Sequence, residues 1–390
     1  MVDYLIMKPR SILSISNFFA SAHFFLIVYI ITPYLATFMT DSQTGLVVSL
    51  GAVITLCVFP FLPHLVRRYS ARKLAIFFAL VEAFVLGWLA VGPTPLPAII
   101  LVACAVATTP LLMYQLDLLL EATIAKEDAT GRIRALFLTT GNLALVISPL
   151  IAGLVLDSGE QYWRVFAVAA SSLLPFVLLL STKRLTPGES PNLLSAMGAS
   201  LAVMGDKDLR SVVLSHGALQ LFYHLAPLYI PLYLHHVLHI PWTQLGWIFA
   251  TMLLPFVLLE YPAGWLADRK FGDKEIMIFG FVIMSLGFGA LALVTVDTML
   301  IWIIIILIVS RIGASLVEAM TETHFFRRVS EADASTVGIF RMARPVAALV
   351  GPILGSVLLT VSGYSTLFIF TALLIAVLGI SSALKIKDFK

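Results

Sequence analysis

Charged residues are scarce in this chain of 390 residues. Asp, Glu, Lys and Arg together make up 12% of it, whereas hydrophobic residues make up 60%. A soluble domain carries about 25% charged residues on average, because its surface must be solvated by water. The deficit excludes an ordinary soluble globular protein and predicts a chain that places most of its surface in lipid.

Cysteine is scarce as well, since Cys57 and Cys104 are the only two and both lie inside apolar runs. A thiol in such a run packs as a small hydrophobic side chain, so neither a disulfide framework nor a metal site is expected. No Gly-Lys-Ser/Thr phosphate loop occurs, which argues against ATP as the energy source. We also find no nucleophile–base pair of the kind an enzyme needs, and we expect no cofactor.

Long apolar runs are what the chain has in abundance. About 20 apolar residues in a helix span a bilayer. Twelve such runs can be counted, at 11–38, 44–66, 71–92, 96–121, 133–156, 163–181, 209–235, 242–262, 275–296, 299–325, 334–361 and 364–384. The first run follows Lys8 and Arg10 without a small-residue cleavage site, so we interpret it as a retained helix. The fold class is therefore an all-α membrane protein with twelve transmembrane helices.

The basic residues predict the orientation of these helices. With both termini placed in the cytosol, 21 Lys and Arg residues fall on the cytosolic side and only Arg164 falls outside. Cytosolic loops of membrane proteins carry an excess of Lys and Arg, so this alternation supports both the helix count and the topology. The basic residues are spread over short loops, and we expect no nucleic acid partner.

The sequence repeats itself at an offset of about 200 residues. Gln43-Thr44-Gly45 matches Gln244-Leu245-Gly246, and Ser148-Pro149 matches Gly351-Pro352. We therefore expect two pseudo-symmetric six-helix bundles that run in parallel. Their boundaries are 1–181 for the first bundle, 182–207 for a cytosolic linker and 208–390 for the second bundle.

The loop after the eighth run carries Gly264-x-x-x-Asp268-Arg269-x-x-Gly272-x-Lys274. This spacing resembles the cytoplasmic loop signature of the major facilitator superfamily, a large family of secondary transporters. The resemblance implies two six-helix bundles that give access alternately to a midplane site, and it gives these five residues a role in the conformational switch. We expect Gly264 to let two helices approach closely.

The first-half copy of this loop has changed, with Pro63 in place of the glycine and Arg67 in place of the aspartate. In the fifth run, Ser148-Pro149-x-x-Ala152-Gly153 resembles a motif of the drug–proton antiporters of the same family, which favours export. Small residues also let helices pack closely, and this structural use is the other interpretation.

Acids that close one run and arginines that open the next occur in both halves. The resemblance implies cytosolic salt-bridge clusters that act as a gate, whereas the alternative is a set of static pairs at helix ends. The acids and arginines concerned are Asp117 and Glu121 with Arg132 and Arg134, and Glu322 with Arg341 or Arg344.

Arg311 lies near the middle of the tenth run, where an arginine cannot be neutralised. It needs a carboxylate partner, for which Glu318 on the same face is suited, or an anionic substrate. Glu318 and Glu260 are the candidates for carrying a proton, although Glu260 could instead pair with Arg269. Glu82 lies in a run that is peripheral in this fold, so we expect its carboxyl group to pair with a residue of the first half.

The seventh run places polar and aromatic side chains on one stripe, which suits either substrate binding or packing between helices. Substrate-binding candidates on it are Gln220, Tyr223 and His224, and those in the first half are His23, Gln115 and Asn142. His235, His236 and His239 lie at the outer end of this run, where we favour an interfacial loop over a metal cluster.

These features together predict a monomeric, multi-pass transporter of the cytoplasmic (inner) membrane with both termini in the cytosol. Its partners would be the lipid bilayer, a small-molecule substrate and protons, and we favour proton-coupled export of an amphipathic compound. The alternatives are uptake of an anionic metabolite recognised by Arg311, and a sensor or scaffold that keeps the fold without transporting.

Overall fold

A computed structural model describes residues 9–124, 130–157, 159–182, 205–269, 271–329 and 334–387. Within these ranges the regular structure is helical and contains no strand. The α-helices are α1 (Pro9–Ile27), α2 (Ile31–Ala36), α3 (Asp41–Val58), α4 (Leu62–Tyr69), α5 (Ala71–Ala90), α6 (Pro95–Ile124), α7 (Thr130–Leu156), α8 (Tyr162–Thr182), α9 (Lys207–Leu232), α10 (Trp242–Leu258), α11 (Glu260–Arg269), α12 (Asp273–Ala290), α13 (Leu300–Arg328) and α14 (Ala334–Ala383).

Nine helical stretches of the described residues are long and apolar enough to cross a membrane. One of them, Thr336–Ala383, covers the last two predicted runs. These two runs together form α14, which has a kink at Gly363, whose φ is 80°. Helix α9 falls outside the nine because its polar stripe, with His216, Gln220 and His224, lowers its mean hydropathy. Helix α10 is shorter than the rest. The all-α membrane fold is confirmed, and the count of twelve spans stays a prediction.

The chain divides into two compact units. Unit 1 is built from Met1–Met39, Leu50–Ser190 and Pro241–Ala250, and unit 2 from Thr40–Ser49, Pro191–Ile240 and Thr251–Lys390. The first residues of α3 therefore belong to unit 2, and those of α10 belong to unit 1. Most of the expected linker, 183–204, lies outside the described residues, and the domain boundaries taken from the repeat stay a prediction.

The same packing pattern occurs in each unit. In unit 1, α1 packs on α7 and α8, and α5 packs on α6 and α8. In unit 2, α9 packs on α14, and α12 packs on α13 and α14. The partners in one unit are the sequence-repeat counterparts of the partners in the other. The repeat read from the sequence is therefore also a repeat of helix contacts.

Small residues bring helices together at matching positions of the repeat. In unit 1, a Cβ on Gly246 would lie 2.7 Å from the carbonyl oxygen of Pro149 and 2.8 Å from Cα of Gly153. In unit 2, a Cβ on Gly45 would lie 2.7 Å from the carbonyl oxygen of Pro352 and would overlap the Tyr229 hydroxyl. Backbone atoms cannot yield to such contacts. The small residues around Pro149 thus have a packing use that does not depend on export.

Candidate functional site

The contact between Tyr223 and Glu318 joins two predicted site residues on α9 and α13. The Tyr223 hydroxyl donates a hydrogen bond of 2.7 Å to Oε2 of Glu318, and both side chains are half-buried. A carboxylate inside an apolar helix is expensive unless it is hydrogen-bonded. The tyrosine hydroxyl therefore stabilises the ionised carboxylate of Glu318.

Arg311 lies seven residues, about two turns, before Glu318 on α13 and is only 3% exposed. Its guanidinium carbon lies 4.7 Å from the centroid of the Phe222 ring, and Nη1 lies 3.4 Å from the Ser310 hydroxyl. A guanidinium over an aromatic face is stabilised by the ring quadrupole, more strongly where water is excluded. The expected pairing of Arg311 with Glu318 stays a prediction.

Three neighbouring polar residues of this stripe, His216, Gln220 and His224, are bonded to one another along α9. Nε2 of Gln220 lies 3.2 Å from Nε2 of His216, and Nδ1 of His224 lies 2.8 Å from the Gln220 carbonyl oxygen. The His216 ring also stacks on Phe340, with 3.9 Å between the ring centroids. Gln220 and His216 are buried, so these contacts favour the packing interpretation for them. Tyr223 is the member of the stripe that reaches another helix's acid.

In unit 1 the three predicted substrate-binding residues have different surroundings. His23 is fully buried and lies 3.8 Å from Glu82, as the expectation of a first-half partner for Glu82 required. Gln115 is also fully buried, and neither of its amide atoms has a hydrogen-bond partner among the described residues. Asn142 is half-buried on α7. Substrate binding by these residues stays a prediction.

The loop that carries the family signature connects α11 to α12. Gly272 has a φ of 101°, which residues with a Cβ rarely adopt, so the glycine is required to begin α12. The Arg269 guanidinium lies 4.9 Å from the centroid of the Trp265 ring, and Lys274 lies in the first turn of α12. Among the described residues, nothing lies within 4 Å of a Cβ built on Gly264. The close helix approach expected at Gly264 is therefore not found there.

The predicted gate charges are only partly described. Glu121, Glu322, Arg341 and Arg344 are exposed, and Asp117 is half-buried. The side chains outside the described part of the structure are those of Arg132, Arg134, Glu260 and Asp268. The pairing of these charges across the helix ends stays a prediction.

A buried charge cluster in unit 2 was missed by the sequence reasoning. The two ring nitrogens of His324 each lie 3.2 Å from a carboxylate oxygen, Nδ1 from Asp273 and Nε2 from Asp208. Arg327 lies 3.1 Å from Asp273, and Arg328 lies 2.8 Å from Asp208. Carboxylates only accept hydrogen bonds, so His324 satisfies both of them when both of its nitrogens carry protons.

The sequence carried a signal for this cluster. Asp208 and Asp273 lie in the first turns of α9 and α12, where the helix dipole favours a negative charge. Arg327 and Arg328 lie in the last turn of α13, where it favours a positive charge. Acidic residues at the start of two helices and arginines at the end of a third predict that these three helix ends meet. The sequence alone did not locate the helix ends closely enough to make this prediction.

Asp206 lies beside this cluster and caps α9. Its Oδ1 accepts hydrogen bonds from the backbone N–H groups of Asp208 and Leu209, at 2.9 and 3.2 Å. Burial opposes ionisation of Asp206, but these hydrogen bonds and the Arg328 charge outweigh it and lower the pKa of the carboxyl group. The cap is therefore strongest when Asp206 is ionised.

A second missed cluster lies at the first residue of α3, in unit 2. Oδ1 of Asp41 lies 3.3 Å from Nδ1 of His236, and Oδ2 accepts a hydrogen bond from the Tyr364 hydroxyl. Tyr364 directly follows the bend at Gly363, which directs the chain there. His235 instead lies 3.0 Å from the Ile240 carbonyl oxygen. Asp41 is 195 residues from His236, so local sequence patterns could not have paired them.

The class of protein follows from these observations. Two units with one packing pattern, helices long and apolar enough for a bilayer, and ionisable side chains held inside those helices are the features of a multi-pass membrane transporter.

The family model described as Major Facilitator Superfamily matches residues 13–241 and 212–388, and the chain belongs to this family. Its structure is similar to that of the nucleoside transporter NupG, with a TM-score of 0.78, 14% sequence identity and coverage of 97% of this chain and 99% of that one. It is also similar to a bacterial homolog of the human lysosomal transporter Spinster in an inward-facing and occupied conformation. The TM-score there is 0.75, the identity 12%, and the coverage 97% of both chains. No protein of curated function matches the chain in sequence.

Proposed function

We propose that this protein is a proton-coupled secondary transporter that exports a small amphipathic molecule across the cytoplasmic membrane by alternating access. It acts as a monomer with both termini in the cytosol. Membership of the family and the repeated packing pattern support the transport mechanism. The observation that carries the coupling is the contact of Tyr223 with Glu318, a half-buried acid within a membrane helix.

Glu318 is suited to couple a proton to a substrate because its hydrogen bond can be replaced. While the Tyr223 hydroxyl donates to it, the ionised carboxylate is stabilised. A substrate that donates a hydrogen bond to the ionised carboxylate in place of the tyrosine is displaced when Glu318 takes up a proton. Proton and substrate therefore compete for this acid, as export in exchange for a proton requires.

In this proposal, the residues of the loop signature and the charged residues at the helix ends form the conformational switch. Gly272 begins α12 at a positive φ, and the Arg269 guanidinium packs on the Trp265 ring. Asp268 and the acids and arginines at the cytosolic helix ends would hold one closed state, and breaking their pairs would open it.

The substrate is best sought among compounds with a polar and an apolar part. Nucleosides are the first to test, since the structurally similar NupG is a nucleoside transporter. Uptake of an anion through Arg311 has less support, because this side chain is 3% exposed and lies over the Phe222 ring. A thermal-shift screen of nucleosides and amphipathic amines on purified protein would find a ligand, since binding raises stability by mass action.

Flux into proteoliposomes with an imposed pH gradient then tests the coupling. Glu318→Gln should abolish gradient-driven flux and leave substrate exchange intact, because exchange needs no net proton movement. Glu275→Gln, an exposed acid in the first turn of α12, is the matched control and should transport normally. Flux that ignores a protonophore and follows a sodium gradient would contradict the proposal.

Topology is tested separately by labelling single cysteines in intact cells, after replacing Cys57 and Cys104. Cysteines placed at Ser42 and Gly159 should react with an impermeant reagent from outside, and those at Ser70 and Phe271 should not. The opposite pattern would invert the orientation and with it the proposed direction of the gate.

A further inference from the structure

His23 and Glu82 are isolated ionisable residues in the apolar middle of the first half. The segments 11–40, 42–63, 74–116, 135–156 and 165–182 contain no Asp, Glu, Lys, Arg or His besides these two. Charged side chains inside membrane helices are expensive and are retained for a reason. The two residues are 59 positions apart in sequence and lie on different helices, α1 and α5.

The fold brings this acid and this base together. Nε2 of His23 lies 3.8 Å from Oε1 of Glu82, and both side chains have no exposed surface. The Thr109 hydroxyl on α6 lies 3.1 Å from the same Oε1 and also 3.1 Å from the Ala105 carbonyl oxygen. Oε2 of Glu82 has no hydrogen-bond partner among the described residues, and the His23 ring lies within reach of the Ala20 backbone.

Charge counting defines how many protons this pair holds. With one proton, the pair is neutral overall, and because water is excluded the uncharged form, imidazole with carboxylic acid, costs less than imidazolium with carboxylate. With no proton it carries a negative charge, and with two it carries a positive charge, and either is costly where water is excluded. The sealed arrangement therefore selects one proton, and a change of proton occupancy requires that water reach the pair.

We propose that His23 and Glu82 form a proton-binding site inside unit 1, loaded with one proton while the helices are packed as described and emptied when α1 and α5 open to water. Loading is the transfer of a proton from water to the pair, and emptying returns it to water. Lower pH therefore favours the packed arrangement, and higher pH favours the opened one.

The elements around the pair offer no competing charge nearby. Helices α7 and α8, which pack on α1, carry none within 135–156 and 165–182, and α6 contributes the Thr109 hydroxyl. The charged groups of the same helices lie toward their ends, as do the titratable phenols of Tyr34, Tyr114 and Tyr162. These charged groups are Arg10, Arg72, Lys73, Asp117, Glu121, Arg132, Arg134 and Arg164. Helix α4, which packs on α5, adds His64, Arg67 and Arg68, and α6 carries the Cys104 thiol. His23 and Glu82 thus form an ionisable pair in the middle of the helices, away from these charged groups.

Proton binding at this site stands on its own observations, but its use in coupling rests on the transport function proposed above. In that function, the site would take its proton from the outer side as α1 and α5 pack together, and would release it when unit 1 opens to the cytosol. The test below measures proton binding without substrate or flux, so its failure would leave the proposed transport by Glu318 untouched.

Infrared difference spectroscopy of the purified protein in nanodiscs measures the site directly. The carbonyl stretch of a protonated carboxyl group in an apolar site is resolved from the other protein bands and shifts in heavy water. Spectra recorded between about pH 5 and pH 9 should show such a band whose amplitude titrates. Glu82→Gln should remove it, whereas Glu160→Gln, an exposed acid before α8, should leave it unchanged.

Two further variants keep the test informative if Glu82→Gln does not fold. Thr109→Val removes the hydroxyl next to Oε1 and should shift the frequency of the band while keeping its titration. His23→Gln removes the second group that can hold the proton and places an amide N–H donor beside the carboxylate, so it should lower the midpoint of the titration. A band that is absent, or one that is constant across this pH range in the wild type, would overturn the proposal and leave a static buried pair.

Discussion

Arg72 in unit 1 and Asp273 in unit 2 occupy the same position of the repeat, yet they carry opposite charges. Arg72 donates to two backbone carbonyls near the end of α8, those of Leu180 at 2.6 Å and Ser181 at 2.8 Å. Asp273 instead binds His324 and Arg327 in the last turn of α13. Both arrangements tie a helix start to the end of a neighbouring helix, one through the helix dipole and the other through side-chain charge.

The two units therefore share their packing but not their polar contacts. Apolar and small residues repeat the helix contacts, because these depend on shape and tolerate exchange among residues of similar size. Ionisable residues repeat only in part. At the offset that pairs Arg72 with Asp273, His23 matches His224, Asp117 matches Glu318 and Glu121 matches Glu322, whereas Glu82 and Arg311 have no ionisable counterpart. This difference indicates that Glu82 and Arg311 serve the role of their own unit rather than the fold.

The largest expected effect comes from breaking the charge cluster of unit 2. Asp273→Leu should lower the free energy of unfolding by about 3 kcal/mol, because His324 and Arg327 lose a buried partner. Arg72→Leu should lower it by about 1 kcal/mol, since the freed carbonyls lie near water at a helix end. Thermal or denaturant unfolding in detergent compares the two, with Glu275→Leu as the exposed control on α12. Equal losses for both variants would remove the distinction between the units.

Coupling between Tyr223 and Glu318 is the next effect in size. The double-mutant cycle of Tyr223→Phe and Glu318→Gln should give a coupling energy of about 1.5–3 kcal/mol, as expected for a hydrogen bond to a charged group. Unfolding of the two single variants and the double variant at neutral pH measures it. Additive losses would show that the contact does not stabilise the carboxylate, and the coupling role of Glu318 would lose its support.

A smaller comparison concerns the residues that begin α5 and α12. Both have positive φ, 71° at Ser70 and 101° at Gly272, in a region that favours glycine. Gly272→Ala should therefore destabilise by about 1–2 kcal/mol, whereas Ser70→Gly should stabilise by up to about 1 kcal/mol. The shift in melting temperature of each variant checks the opposite signs. If both substitutions destabilise the protein, the Ser70 side chain contributes more stability than its positive φ costs.

The smallest effect is the pH dependence at Asp206. Its pKa is lowered in the folded protein, so its contribution is present above the pKa of the unfolded chain and is lost as the pH falls through the folded value. Asp206→Asn keeps a capping oxygen but cannot ionise, and it should flatten this acidic part of the stability curve. Unfolding measured from about pH 3 to pH 7 tests it, and an unchanged slope would assign the acid sensitivity to other groups.

Several site residues were predictable because their signal is local in sequence. The spacing from Gly264 to Lys274 predicted the family, and the polar stripe of α9 predicted that Tyr223 meets something other than lipid. The role expected for Gly264 stays a prediction, since no close approach is found at it among the described residues, whereas close approach occurs at Gly45 and Gly246. A glycine in a loop motif gives no information on what lies across from it.

The sequence by itself determined the class of protein, the family and the repeat, because apolar length, loop charge and motif spacing are properties of short stretches. Only the tertiary structure decided which ionisable residues meet. His23 lies next to Glu82, Tyr223 donates a hydrogen bond to Glu318, and His324 contacts both Asp208 and Asp273, in each case on another helix. Inside a membrane helix, a residue's periodicity indicates the face on which it lies. Which residue of a neighbouring helix it contacts depends on how the two helices pack, and packing depends on the shape of both helices along their whole length.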